Sequence, residues 1–136
     1  MNRFLLAYAG ALAAYCILDF IWLGVVAKGF YQSQVGELMA ARPVWPAAIL
    51  LYALYPLGIV YFAAAPAMSE GALGTALLRG ALLGLVVYGT YDLTNLAVLR
   101  GWTVTASVVD ALWGGVVTAA AAAAGFALAR LAGAAP

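Results

Sequence analysis

Asp19, Asp92 and Asp110 interrupt three of the long apolar runs of a chain that is 68% hydrophobic and only 8% charged. An aspartate near the middle of a membrane-spanning helix costs about 2.5 to 3.5 kcal/mol, so these are the residues whose chemistry most needs a reason. Grouped carboxyls can share protons, hold a cation or serve as acid and base toward a polar ligand. Buried close together they would titrate as a coupled set. No lysine or arginine falls inside the helices at their depth, although Arg100 or Lys28 could bend a long side chain down from the edge. Hydrogen bonds from tyrosine, Thr94 and Asn95 are another way to lower the cost.

The elements that must position these acids follow from length. Apolar runs cover Phe4 to Ala27, Val44 to Pro66, Ala72 to Leu99 and Val104 to Leu131, each longer than the roughly 20 residues a spanning helix needs. Barrel strands would be about 10 residues of alternating polarity, so these segments read as helices that satisfy their own backbone. The expectation is an all-α integral membrane protein, a four-helix up-down-up-down bundle forming a single transmembrane domain over 1–136, with helices at about 4–27, 46–66, 72–99 and 104–131. Between Lys28 and Pro46, the residues Phe30, Tyr31, Val35, Leu38 and Met39 share a face if helical, which suggests an interfacial helix over 30–41; Gly36 leaves an irregular loop equally open. Pro66 to Gly74 and Arg100 to Thr103 read as turns.

Composition removes several function classes. A net charge of +1 offers no basic face, so no nucleic-acid partner is expected. One cysteine permits no internal disulfide, and the absence of histidine removes most hydrolase and metalloenzyme templates. Met1-Asn2-Arg3 and Ala11-Leu12-Ala13 imitate a secretory leader, but the apolar run continues to Ala27, so it reads as an uncleaved first helix. Arginine outnumbers lysine and alanine is abundant, a composition that points to a high-GC bacterial source and a multi-pass protein of the inner membrane. Basic residues divide evenly between the two faces, three against three, so only the amino terminus tips the orientation, toward N-in.

Depth brings the acids together. Asp19 lies about 12 Å from the end of its run, Asp92 about 10 Å from its end and Asp110 about 9 Å from its start, all toward the face that carries Trp22, Trp45, Trp102 and Trp113. Helical spacing aligns Tyr8, Tyr15, Asp19 and Trp22 on one stripe. It aligns Gly80, Gly84, Tyr88, Asp92 and Asn95 on another, and Ser107, Asp110, Trp113 and Gly114 on a third. Tyr52 and Tyr55 reach the same depth just before Pro56. The plainer interpretation of these groups is interhelical hydrogen bonding and packing.

Three segments carry a resemblance: Asp19-Phe20-Ile21-Trp22-Leu23-Gly24 followed by Phe30-Tyr31, Tyr91-Asp92-Leu93-Thr94-Asn95-Leu96-Ala97, and Asp110-Ala111-Leu112-Trp113-Gly114. Together they resemble the bacterial membrane family catalogued as domain of unknown function 2177. The resemblance implies a small four-helix inner-membrane protein and no particular activity.

The residues support an expected pocket of Tyr15, Asp19, Trp22, Tyr52, Tyr55, Tyr88, Tyr91, Asp92, Thr94, Asn95, Asp110 and Trp113, open toward the Trp-rich face and suited to a proton, a cation or a small polar ligand. Asp19, Asp92 and Asp110 are the candidate metal ligands. The identity of any cofactor is left unknown. Beyond the lipid bilayer, a lipid head group and a second copy of the chain are the partners left open. Transport would require a second opening. The rivals are a lipid-acting transferase or isomerase in which the same acids hold Mg²⁺ or serve as acid and base on a polar head group, and a structural or accessory subunit.

Overall fold

Asn2 starts the first helix by accepting a hydrogen bond from the Phe4 backbone N–H at 2.9 Å. The computed structural model describes residues 2–133; Met1, whose amino group entered the orientation argument, and residues 134–136 lie outside the described residues. Helix α1 (Arg3–Ile21) continues into a π-helical turn (Trp22–Val26), and the short α2 (Lys28–Val35) ends in a 3₁₀ turn (Gly36–Leu38). The interfacial segment expected over 30–41 therefore begins two residues earlier and loses α geometry at Gly36.

The second span is one rod of three parts: α3 (Trp45–Ile59), a π-helical turn (Val60–Ala64) and α4 (Ala65–Glu70). It passes through Pro66, where a turn was expected. Pro66 falls in the first turn of α4, directly after the π-helical turn, and the first turn of a helix tolerates a missing N–H. Gly71 ends the rod at a φ of 69°, a left-handed conformation that costs glycine little. Helix α5 (Leu73–Val98) and helix α6 (Val104–Gly133) are joined by a reversal at Gly101, φ 85°. Thr103 then caps α6, its Oγ1 accepting from Ala106 N at 3.0 Å.

The four long helices, Arg3–Val26, Trp45–Glu70, Leu73–Val98 and Val104–Gly133, are each long and apolar enough to cross a membrane. The structure is 89% helical, without strands among the described residues. Large apolar side chains such as Leu5, Ile49, Leu78, Val86 and Val116 point outward, which suits lipid and not water. This is a multi-pass membrane protein in contact with the bilayer.

Helix α6 is the spine. Of its most apolar 18-residue window 44% is buried, against 17% to 28% in the other three spans, and it packs chiefly on α5 and α1. Small residues allow this closeness. A Cβ added at Gly10 would stand 2.8 Å from the Ala124 carbonyl oxygen, and one at Gly125 would stand 2.6 Å from that of Ala7. On the other flank, a Cβ at Gly84 would overlap the Gly114 carbonyl. The Gly80-x-x-x-Gly84 pattern thus occupies the close contact that its spacing suggested.

Candidate functional site

On α1 the stripe of Tyr15, Asp19 and Trp22 turns inward, with Tyr15 and Asp19 buried. Asp19 receives two neutral donors. Tyr52 of α3 donates to its Oδ2 at 2.5 Å, and the indole N–H of Trp113 on α6 donates to its Oδ1 at 3.2 Å. Trp113 stacks on Trp22, with ring centroids 4.4 Å apart and planes 6° from parallel. The Trp22 indole donates to the Tyr31 hydroxyl at 3.2 Å, and Tyr31 donates to Asp110 Oδ1 at 2.6 Å. One polar and aromatic path therefore joins α3, α1, α6 and α2.

Asp92 stands apart in kind. It is 1% exposed, and among the described residues neither carboxyl oxygen has a hydrogen-bond partner. Asp110 lies within electrostatic reach of it, and Asp19 within reach of Asp110. A buried carboxyl without a donor bears its full desolvation cost, so Asp92 is the least satisfied group in the bundle interior. Among the described residues, no set of three or more His, Cys, Asp or Glu side chains is gathered tightly enough to hold a metal ion.

A tyrosine layer closes the site from beneath. The hydroxyls of Tyr15 and Tyr88 meet at 2.5 Å, that of Tyr55 meets Thr118 Oγ1 at 2.7 Å, and the Tyr15 ring contacts those of Tyr52 and Tyr55 at 5.6 and 5.1 Å. Beyond Thr118, toward the end of the bundle away from the tryptophans, the buried side chains of the described residues are apolar. Ala7, Ala63, Ala67, Ala122, Phe126 and Ala129 fill that end.

Toward the Trp-rich end lies a cleft of about 580 Å³, bordered by Lys28, Tyr31 and Gln32 of α2, by Tyr91 and Trp102, and by Asp110. Asp110 is thus the acid that the cleft reaches. Burial first, and then the hydrogen bond to Asp110, push the Tyr31 phenol above the ordinary tyrosine range, so it stays a donor at neutral pH.

Residues 4–127 match a family described as predicted membrane protein (DUF2177). The chain belongs to this family. Comparison with curated proteins and with solved structures returns no match. Membership agrees with the resemblance carried by the three Asp-containing segments, and the family description extends to the membrane and no further.

The remaining expected residues of this family member divide. Tyr91 is 56% exposed on the outer cleft wall, edge-on to Trp102 with centroids 5.9 Å apart. Asn95 is half-buried one turn beyond Asp92. Thr94 is exposed and donates to the Thr90 carbonyl of its own helix at 2.7 Å, away from the acids. Two participants were not in the expected set. Thr118 lies four residues beyond Gly114 on the α6 face already identified. Tyr31 belongs to the amphipathic segment, whose apolar face gave no sign of folding back onto Asp110.

Proposed function

We propose that this inner-membrane protein holds an intramembrane pocket that takes a proton, a cation or a small polar ligand from the Trp-rich side only. Asp92 and Asp110 form its anionic floor. Asp19 is the structural acid of the group, its charge met by Tyr52 and Trp113. Tyr31 lines the same cleft and occupies one acceptor oxygen of Asp110.

The observation that carries this reading is Asp92, buried to 1% exposure with two empty acceptor oxygens beside Asp110, which borders an open cleft. Packing alone gives no return for such a group, because an apolar side chain of similar size would avoid the desolvation cost. Passage across the membrane is disfavoured by the opposite half, where a chain of buried alanines and Phe126 offers a cation or proton no polar step.

Trp22 and Trp113 sit between Asp19 and Tyr31, so their fluorescence reports the site. Titrating the detergent-solubilised protein with acid, and at fixed pH with methylammonium, should change that emission in the wild type and not in Asp92→Asn. Proteoliposomes should accumulate neither protons nor cations above empty vesicles. An unchanged response in the triple Asp→Asn variant would refute the pocket, and Asp92-dependent uptake would refute its one-sidedness.

A further inference from the structure

The chemistry of the cleft identifies its ligand more narrowly, on the premise that the acid cluster is a ligand pocket. Both oxygens of Asp92 lack a partner among the described residues although the residue is almost wholly buried. Tyr31 accounts for one acceptor position of Asp110 and leaves the rest. Such a floor asks for positive charge together with several hydrogen-bond donors. A primary ammonium supplies one charge and three N–H groups. A quaternary ammonium supplies the charge without the donors. Tyr31, Tyr91 and Trp102 border the same cleft, and aromatic faces favour a cation.

The same cleft also carries the opposite charge. Lys28 borders it, exposed, at the first residue of α2, where the partial positive charge of a helix start adds to that of the ammonium group. Both features suit a phosphate. Leu23, Val35, Leu38 and Met39 make most of the remaining lining apolar, which suits hydrocarbon chains more than a wholly water-soluble ligand. The cleft thus offers carboxylate acceptors for an ammonium, a cation for a phosphate and apolar side chains for a tail.

We propose that the cleft binds the phosphoethanolamine head group of a bilayer phospholipid, its ammonium directed to Asp110 and Asp92 and its phosphate to Lys28. Tyr31 swings off Asp110 as the ammonium arrives, handing its acceptor oxygen to an N–H donor and opening the way to Asp92. Phosphatidylglycerol lacks the ammonium. Phosphatidylcholine carries the charge without N–H donors.

The full chain in detergent is titrated with short-chain phosphatidylethanolamine, phosphatidylcholine and phosphatidylglycerol, and separately with free phosphoethanolamine, following tryptophan emission and counting bound lipid by native mass spectrometry. Phosphatidylethanolamine should bind about tenfold or more tightly than either other lipid, the scale of losing charge-assisted hydrogen bonds. Free phosphoethanolamine should bind more weakly than the lipid. Lys28→Ala, a substitution at an exposed position, should weaken the lipid while methylammonium, freed of a like charge in the same cleft, binds at least as tightly as to wild type, whereas Asp92→Asn should abolish both with its helical circular dichroism unchanged. Equal affinity for the three lipids, or a Lys28→Ala variant that binds like wild type, overturns the head-group assignment. Free phosphoethanolamine binding as tightly as the lipid overturns the lipid source. If lipid selectivity is absent while an Asp92-dependent methylammonium response persists, this assignment alone falls; if that response is absent too, the pocket falls with it.

Discussion

From Thr118 to Gly133, α6 meets its neighbours through Ala121, Ala122, Gly125 and Ala129, whereas from Val104 to Trp113 it meets them through Asp110 and Trp113. The first half brings backbones close enough that an added methyl at Gly10 or Gly125 has no room. Dispersion between backbones is the main attraction available there, since lipid removes the hydrophobic drive between helices. The second half separates the helices with tryptophan and tyrosine rings and joins them by side-chain hydrogen bonds. One half can therefore hold the bundle together while the other carries an unsatisfied acid.

The sharpest way to break that contrast is to open the close-packed side. In Gly80→Val the new side chain would crowd the Ala119 Cα and the Thr118 carbonyl oxygen; backbone cannot yield as a side-chain end can. Overpacking of this kind should cost about 3 kcal/mol or more, seen as aggregation or a collapsed melting temperature in detergent. Gly89→Ala in the same helix faces open space and should melt at or slightly above wild type, since alanine favours a helix by up to about 1 kcal/mol over glycine. Equal effects at the two glycines would show that the contact is not what holds α5 to α6.

Within the polar half, Asp19 and Asp92 should respond with opposite sign. Asp19→Ala strands the Tyr52 hydroxyl and the Trp113 N–H, a loss of about 2 kcal/mol in thermal or denaturant unfolding. Asp92→Asn replaces a donorless acid with an amide that is cheaper to bury and should be neutral or stabilising by about 1 kcal/mol. Matching losses at both positions would mean that Asp92 has a structural partner after all.

A smaller effect belongs to Tyr31→Phe, which frees Asp110 and loosens α2 at a cost of about 1 kcal/mol, read as faster hydrogen exchange over Lys28–Val35. The same variant tests pH dependence. Burial and then Asp110 hold the Tyr31 phenol above its usual value, so the folded state favours the neutral form. Its contribution is whole below about pH 10 and is lost as pH rises through the folded value. Tyr31→Phe should reduce the alkaline loss of stability by that share. Smallest of all, Thr94→Val removes an exposed hydroxyl bonded to its own helix and should stay within about 0.5 kcal/mol of wild type.

Much of the fold was legible because a spanning helix announces itself by length alone. The runs from Phe4, Val44, Ala72 and Val104 all became spans, with the main difference at Pro66, where a π-helical turn placed the proline in a tolerant first turn. Helical spacing also put Tyr15 with Asp19, and Asp110 with Trp113, on inward faces. It was less informative for Tyr91 and Thr94, which are near Asp92 in sequence yet turned about 100° and 200° from it around the helix. Tyr31 could not be placed from spacing, because its segment is short and its return to Asp110 depends on the turn at Trp22–Val26.

The sequence by itself determined the spans and the helix face on which each aspartate lies, since rise and turn per residue are local properties of the backbone. Only the tertiary structure decided that Asp19 receives two donors and Asp92 none. That difference depends on how whole helices rotate and separate, with partners as distant in sequence as Asp19 and Trp113, 94 residues apart. The small residues of one half set that rotation, and the polar half inherits it.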